Sequence, residues 1–137
     1  KEIEQSIPKM YSIDNGLAGV FNTEFQESFG RLMENAVFME LRKSGLIENK
    51  NIFYYKTADG KEADFCIRRG SHFGQIIQVC YDLSDISTKE REIKGILKAS
   101  DELKCDNLLI ITWDYEAEES VGKKKIVYAP LWKWLMS

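Results

Sequence analysis

Asp64, Gln78, Cys80 and Glu34 are the residues whose types and spacing invite chemistry. Asp64 stands in the middle of "EADFCIR", Glu62 to Arg68, a stretch that otherwise alternates like a strand. Aspartate is depleted from strands, so its presence there asks for a reason. Gln78, Cys80 and Asp82 fall on alternate positions of "IIQVCYD", against Ile77, Val79 and Tyr81. That polar face is either solvated or the wall of a site. Glu34 shares a helical face with Val37, Phe38 and Leu41, because positions i, i+3, i+4 and i+7 align. A carboxylate on an apolar face is costly unless it is partnered; water or Arg31 would serve. If a helix brought Glu34 over the side of a sheet that carries Asp64 and Gln78, the three would offer oxygen donors. Such donors suit Mg²⁺, which takes one or two carboxylates and keeps waters. A metal held there activates water against a phosphodiester.

The elements that must position these residues are legible from punctuation and periodicity. "KMYSI", Lys9 to Ile13, alternates like a short strand, and "DNG", Asp14 to Gly16, signals a turn. "TEFQESFGRLMENAVFMELRKSG" predicts a well-buried helix, with Thr23 and Gln26 as a capping box and Gly45 as the stop. Three strands follow, Ile52 to Lys56, Glu62 to Arg68 and Ile76 to Asp82. "ADGK" forms the first hairpin and "RRGSHFG" a loop before the third strand. A second helix is expected from about Thr88 to Leu103, with Ser87 and Glu90 as its capping box. "NLLIITW" reads as a fully buried strand, "DYEAEESVGKKK" as a polar loop, and "KIVYA" as a last strand. Pro130 opens a short final helix. Hairpins imply antiparallel pairing, and strand–helix–strand implies a parallel crossover. The class is a mixed α/β sandwich.

Composition sets outer bounds. The 137 residues fit a single domain with a real core. Apolar residues at 44% and charged residues at 30% are ordinary for a soluble protein. A net charge of −3 argues against a module that grips nucleic acid by overall positive charge. Local basic clusters exist at Arg68, Arg69 and His72, and at Lys123 to Lys125. Either can touch phosphates without reading sequence. Cys66, Cys80 and Cys105 show no CxxC spacing, and His72 is the single histidine, so a Cys/His zinc site is not expected. An odd cysteine count fits a reducing cytoplasm. No apolar run has the length of a membrane span, and no signal peptide opens the chain. The chain begins at Lys1, and its first residues read as mid-protein sequence.

A helix bearing an acid, a strand bearing Asp, a strand reading (Asp/Glu)-x-Lys, then a helix and a strand resembles the PD-(D/E)XK restriction-endonuclease-like fold. Glu34 matches the helix acid, Asp64 in "KEADF" the metal-ligand aspartate, and Gln78-Val79-Cys80 the tripeptide. More narrowly, "YSIDNGL", "GRLMENAVFMELRKSG", "FYYKTADGKEADFCI", "IIQVCYDLSD" and "LIITWDYE" together resemble the C-terminal domain that follows the P-loop domain in AAA-type ATPases of archaea and bacteria. The resemblance covers nearly the whole chain. It implies a helix-strand-strand-strand-helix-strand core with flanking helices on both faces. It also implies residues 1–22 as an N-terminal strand and linker from an upstream ATPase region, residues 23–137 as the nuclease-like domain, and Mg²⁺ or Mn²⁺ if the centre is active.

This chain departs from the pattern at two positions. Gln78 replaces the first acid of the tripeptide and can ligate only through an uncharged amide oxygen. Cys80 replaces the lysine, which stabilises developing negative charge; a cysteine is a small, mostly neutral hydrophobe. Lys94, Lys98 or Lys61 are the candidates for a migrated lysine. There is no GxxxxGK[ST], so an ATP site would belong to the upstream region. Three readings stay open: a degenerate centre that engages DNA, RNA or a partner, with Arg68, Arg69 and Lys94 as contact candidates; an active metal-dependent nuclease; and a purely protein-binding domain, with homo-oligomerisation among its forms. Trp132 and Trp134, two apart, predict one packed and one exposed indole. The exposed one is a candidate to dock on the ATPase domain or to stack on a base.

Overall fold

The structure is a computed structural model and describes residues 25–137. The expected strand at Lys9 to Ile13, the turn after it, the Thr23 cap and the boundary at residue 22 lie outside the described residues. The described elements are α1 (Phe25–Lys43), β1 (Ile52–Lys56), β2 (Glu62–Arg69), β3 (His72–Val79), α2 (Ile86–Leu103), β4 (Leu108–Thr112), β5 (Ala117–Val121), β6 (Lys124–Pro130) and α3 (Leu131–Met136). The strands form one mixed sheet in the order β1-β2-β3-β4-β6-β5. Short turns make β1–β2 and β2–β3 antiparallel, and α2 carries the chain across to a parallel β4. The fold class is the expected one, a mixed α/β sheet flanked by helices.

Local chemistry fixes the ends of the helices. α1 stops as the sequence predicts. The Leu46 N–H donates to the Leu41 carbonyl at 3.2 Å, and the Gly45 N–H to the Arg42 carbonyl at 3.0 Å. Gly45 sits at φ 100°, a conformation that side chains resist. The start of α2 differs from expectation. Its cap is Asp85, not Ser87: the Asp85 carboxylate accepts from the Thr88 N–H at 2.9 Å and from both neighbouring hydroxyls. Aspartate and serine compete closely as caps, and an anion also complements the helix N-terminus.

Two further differences concern strands. β5 lies inside the expected polar loop, on the outer edge of the sheet, pairing antiparallel with β6. The expected loop at Arg68 to Gly74 is a tight hairpin, with Arg69 opposite His72 and Gly70 at φ 66°. His72 is therefore the exposed first residue of β3 rather than a loop tip.

Each face of the sheet has its own core. On one side Ile96 and Ala99 of α2 pack on Tyr55, Ala63, Cys66, Ile76, Cys80, Ile110 and Tyr128. On the other, Met33, Val37, Phe38 and Leu41 of α1 and Leu131 of α3 pack on Phe65, Ile67, Ile77, Val79 and Ile111. Each fully buried aliphatic side chain stabilises by about 1.5–3 kcal/mol. β4 contributes to both faces and is buried throughout, as "LLIIT" predicts. No helix of the described residues is long and apolar enough to cross a membrane.

Candidate functional site

The site begins with a defect in strand pairing. Phe53 lies opposite Cys66, yet Tyr55, two residues on, lies opposite Ala63, three residues back. One extra residue is therefore inserted into β2 around Asp64, a β-bulge. Beyond the bulge the β2 backbone no longer matches the donors of β3. Cys80 turns its N–H to the Ile111 carbonyl of β4, at 2.9 Å. By alternation Val79 turns its N–H toward β2. There it meets a side chain instead of a carbonyl: the Asp64 Oδ2 accepts it at 2.9 Å. Reciprocally, the Asp64 N–H donates to the Gln78 Oε1 at 3.0 Å. Two side chains thus complete the ladder where the backbones part.

Gln78 spends its other end as fully. Its Nε2 donates to the Glu62 carbonyl at 3.2 Å and to the Glu92 carboxylate at 2.8 Å. Asp64 and Gln78 are each only 7% exposed, and buried polar groups hold only when their bonds are made. Burial pushes the Glu92 carboxyl above the usual carboxylate range. The Gln78 hydrogen bond draws it back, and the Asp64 charge pushes it up again. Burial, then the Glu92 charge, pushes the Cys80 thiol up to about 12. That thiol is protonated at neutral pH, and it donates to the Asp82 carbonyl at 3.5 Å.

The sequence candidates are distributed unevenly. Asp64 and Gln78 meet directly, and Cys80 lies on the Gln78 face, toward α2. Glu34 does not join them there. α1 covers the face of Phe65, Ile77 and Val79, opposite to the one that Gln78 and Cys80 line. The condition under which Glu34 would complete an oxygen cluster with Gln78 is not met. Among the described residues, no group of three or more His, Cys, Asp or Glu is arranged to hold a metal. The Gln78 Oε1 and the Asp64 Oδ2 each accept a backbone N–H.

Lys61 pairs with Asp59 at 3.2 Å, and Lys94 is exposed on α2. The cation beside Glu92 is Arg91, at 3.6 Å. Glu92 stands four before Ile96 and seven before Ala99, so helical periodicity alone puts it on the buried stripe of α2. The expected basic clusters also separate. Arg68 lies over the Phe53 ring, whereas the Arg69 side chain runs across Gly74. In the lysine run, Lys124 pairs with Asp101 and Lys125 with Glu118. Trp134 packs against the core and Trp132 is 59% exposed.

Residues 29–134, from α1 into α3, match the family described as "Domain of unknown function (DUF4143)". The chain belongs to this family. It is also 42% identical, over 141 aligned residues, to an uncharacterized protein of Methanocaldococcus jannaschii. That alignment takes in 96% of this chain and 30% of the relative, so the chain spans under a third of the relative's length. No solved structure matches. The bulge, Asp64, Gln78 and Glu92 all lie within the DUF4143 match.

Proposed function

We propose that this DUF4143 domain is the restriction-endonuclease-like C-terminal part of a cytoplasmic AAA-type ATPase. Its nuclease centre has become a structural lock, and the domain engages nucleic acid or a protein partner for the ATPase rather than cutting. The observation that carries this reading is the state of Gln78. At the position of a metal-binding acid stands an amide whose oxygen and nitrogen are both committed to the protein itself. A protonated thiol at the lysine position adds no charge to stabilise a transition state. The family match, and the span of 30% of the relative, support a domain within a longer protein.

The test is cleavage. This chain and its full-length parent are incubated with single- and double-stranded DNA and RNA in Mg²⁺ or Mn²⁺, with Asp64→Ala as control. No cutting is expected. Cutting that disappears in Asp64→Ala would overturn the proposal and establish an active metal-dependent nuclease.

A further inference from the structure

An open cleft of about 410 Å³ lies at the other end of β2 from Asp64, lined by Asn49, Lys50, Asn51, Phe53, Arg68 and Gly70. Four residues of strand, at roughly 3.3 Å each, separate Arg68 from Asp64. The cleft is built from the turn before β1 and the end of the β2–β3 hairpin. Asn49, at φ 61°, shapes the turn, and the Asn51 carbonyl fastens it to the Arg68 N–H at 2.7 Å.

Its chemistry is one-sided. Both charged residues in the lining are cations, and neither Lys50 nor Arg68 has a carboxylate partner among the described residues. The nearby Glu48 is taken by Arg42 at 3.1 Å. The Arg68 guanidinium is held in place: its centre lies 5.9 Å over the buried Phe53 ring, and its Nε donates to the Gly70 carbonyl at 3.2 Å. Its two terminal nitrogens keep their donors. The Asn51 Oδ1 accepts the Ile47 N–H at 3.2 Å, which leaves that amide's donors for a ligand. An ammonium, a preset guanidinium and amide donors without an acidic residue suit a phosphate oxyanion.

We infer that this cleft binds a phosphate-bearing ligand of nucleotide size, either a free nucleotide or one unit of a nucleic-acid strand. Its volume is in the range of sites for small organic ligands and exceeds what a lone phosphate fills. In a chain of net charge −3 the positive potential is local, so the cleft positions a phosphate without gripping polyanions at large. The inference goes beyond the locked centre and does not depend on whether Asp64 takes part in cutting.

The experiment follows backbone amide resonances of the whole chain while inorganic phosphate, adenosine monophosphate, and short DNA or RNA single strands are titrated in. Amides of Asn49 to Asn51, Arg68 and Gly70 are expected to move. Movement with the monophosphate assigns a nucleotide, and movement only with strands assigns nucleic acid. Lys50→Met and Arg68→Met, which keeps its stem on Phe53, should each weaken binding about tenfold, the loss of one charge-assisted bond. Lys133→Gln, on α3 where the side chain pairs with Glu116, should leave it unchanged. Failure of every probe to move these amides, or an equal loss in Lys133→Gln, would overturn the inference. If Arg68→Met does not fold, Lys50→Met, in an exposed turn, carries the test.

Discussion

Asp64 and Gln78 bind each other's strands rather than each other's side chains: the Asp64 carboxylate takes the N–H of Val79, and the Gln78 amide oxygen takes the N–H of Asp64. This crossed pair repairs the ladder at a bulge. In a nuclease of the resembling pattern these positions would hold a metal; here they hold the sheet together. Both bonds matter, because a buried backbone N–H left unmatched keeps its full desolvation cost.

Asp64→Ala should therefore lower stability by about 1–3 kcal/mol. Asp64→Asn retains an oxygen to accept the Val79 N–H and should lose less. Urea unfolding of the three proteins measures the order. Equal stability of wild type and Asp64→Ala would mean that Val79 finds another partner.

Gln78→Glu replaces the amide with a carboxylate and should weaken the fold. The Nε2 donors to the Glu62 carbonyl and to Glu92 vanish, and a third carboxyl joins Asp64 and Glu92. The loss at neutral pH should be about 1–3 kcal/mol and should shrink on acidification, when the crowded carboxyls take up protons. Thermal unfolding across pH reads both the loss and its recovery.

The Tyr55 hydroxyl donates to the Glu102 carboxylate, tying the last turn of α2 to the β1–β2 hairpin. Glu102 also accepts the Ala58 N–H at 3.1 Å. Tyr55→Phe removes one of these bonds without opening a cavity, so about 1 kcal/mol should go. The Ala58 amide should retain its hydrogen-exchange protection, since its own acceptor stays.

All three cysteines are buried, and their thiols are pushed up chiefly by burial, Cys80 to about 12. Thiolate is the reactive form. The folded protein should resist a thiol reagent near pH 8 and release three reactive thiols in denaturant. Prompt labelling of Cys80 in the native protein would contradict the closed site.

Much of this was written in the sequence, and the exceptions have physical causes. The α1 stop was legible because Gly45 has one structural use there, and the parallel crossover because α2 has a clear apolar stripe between two strands. β5 was hidden because an edge strand need bury little: its alternation rests on Ala117, Glu119 and Val121, with a glutamate in the middle. The bulge left no compositional trace, since one inserted residue changes pairing and not residue type. Without it, the side on which Asp64 and Gln78 work could not be deduced. Glu92 was within reach of periodicity, but a carboxylate on an apolar stripe looks like an edge residue until its partner is known.

Glu92 makes the site's stability depend on pH, and the sign can be worked out. Burial raises its folded-state value above the ordinary 4.5. Between the ordinary and the raised value the folded protein holds more protons than the unfolded chain, so stability falls as pH rises through that window. This contribution is fully present below the ordinary value and lost above the raised one. Glu92→Gln removes the ionisation yet keeps an oxygen to accept the Gln78 Nε2. The variant should therefore match wild type in acid, where Glu92 is already neutral, and exceed it at neutral pH. Paired urea titrations at acid and neutral pH measure the gap. A gap of equal size at both would place the effect in packing rather than in charge.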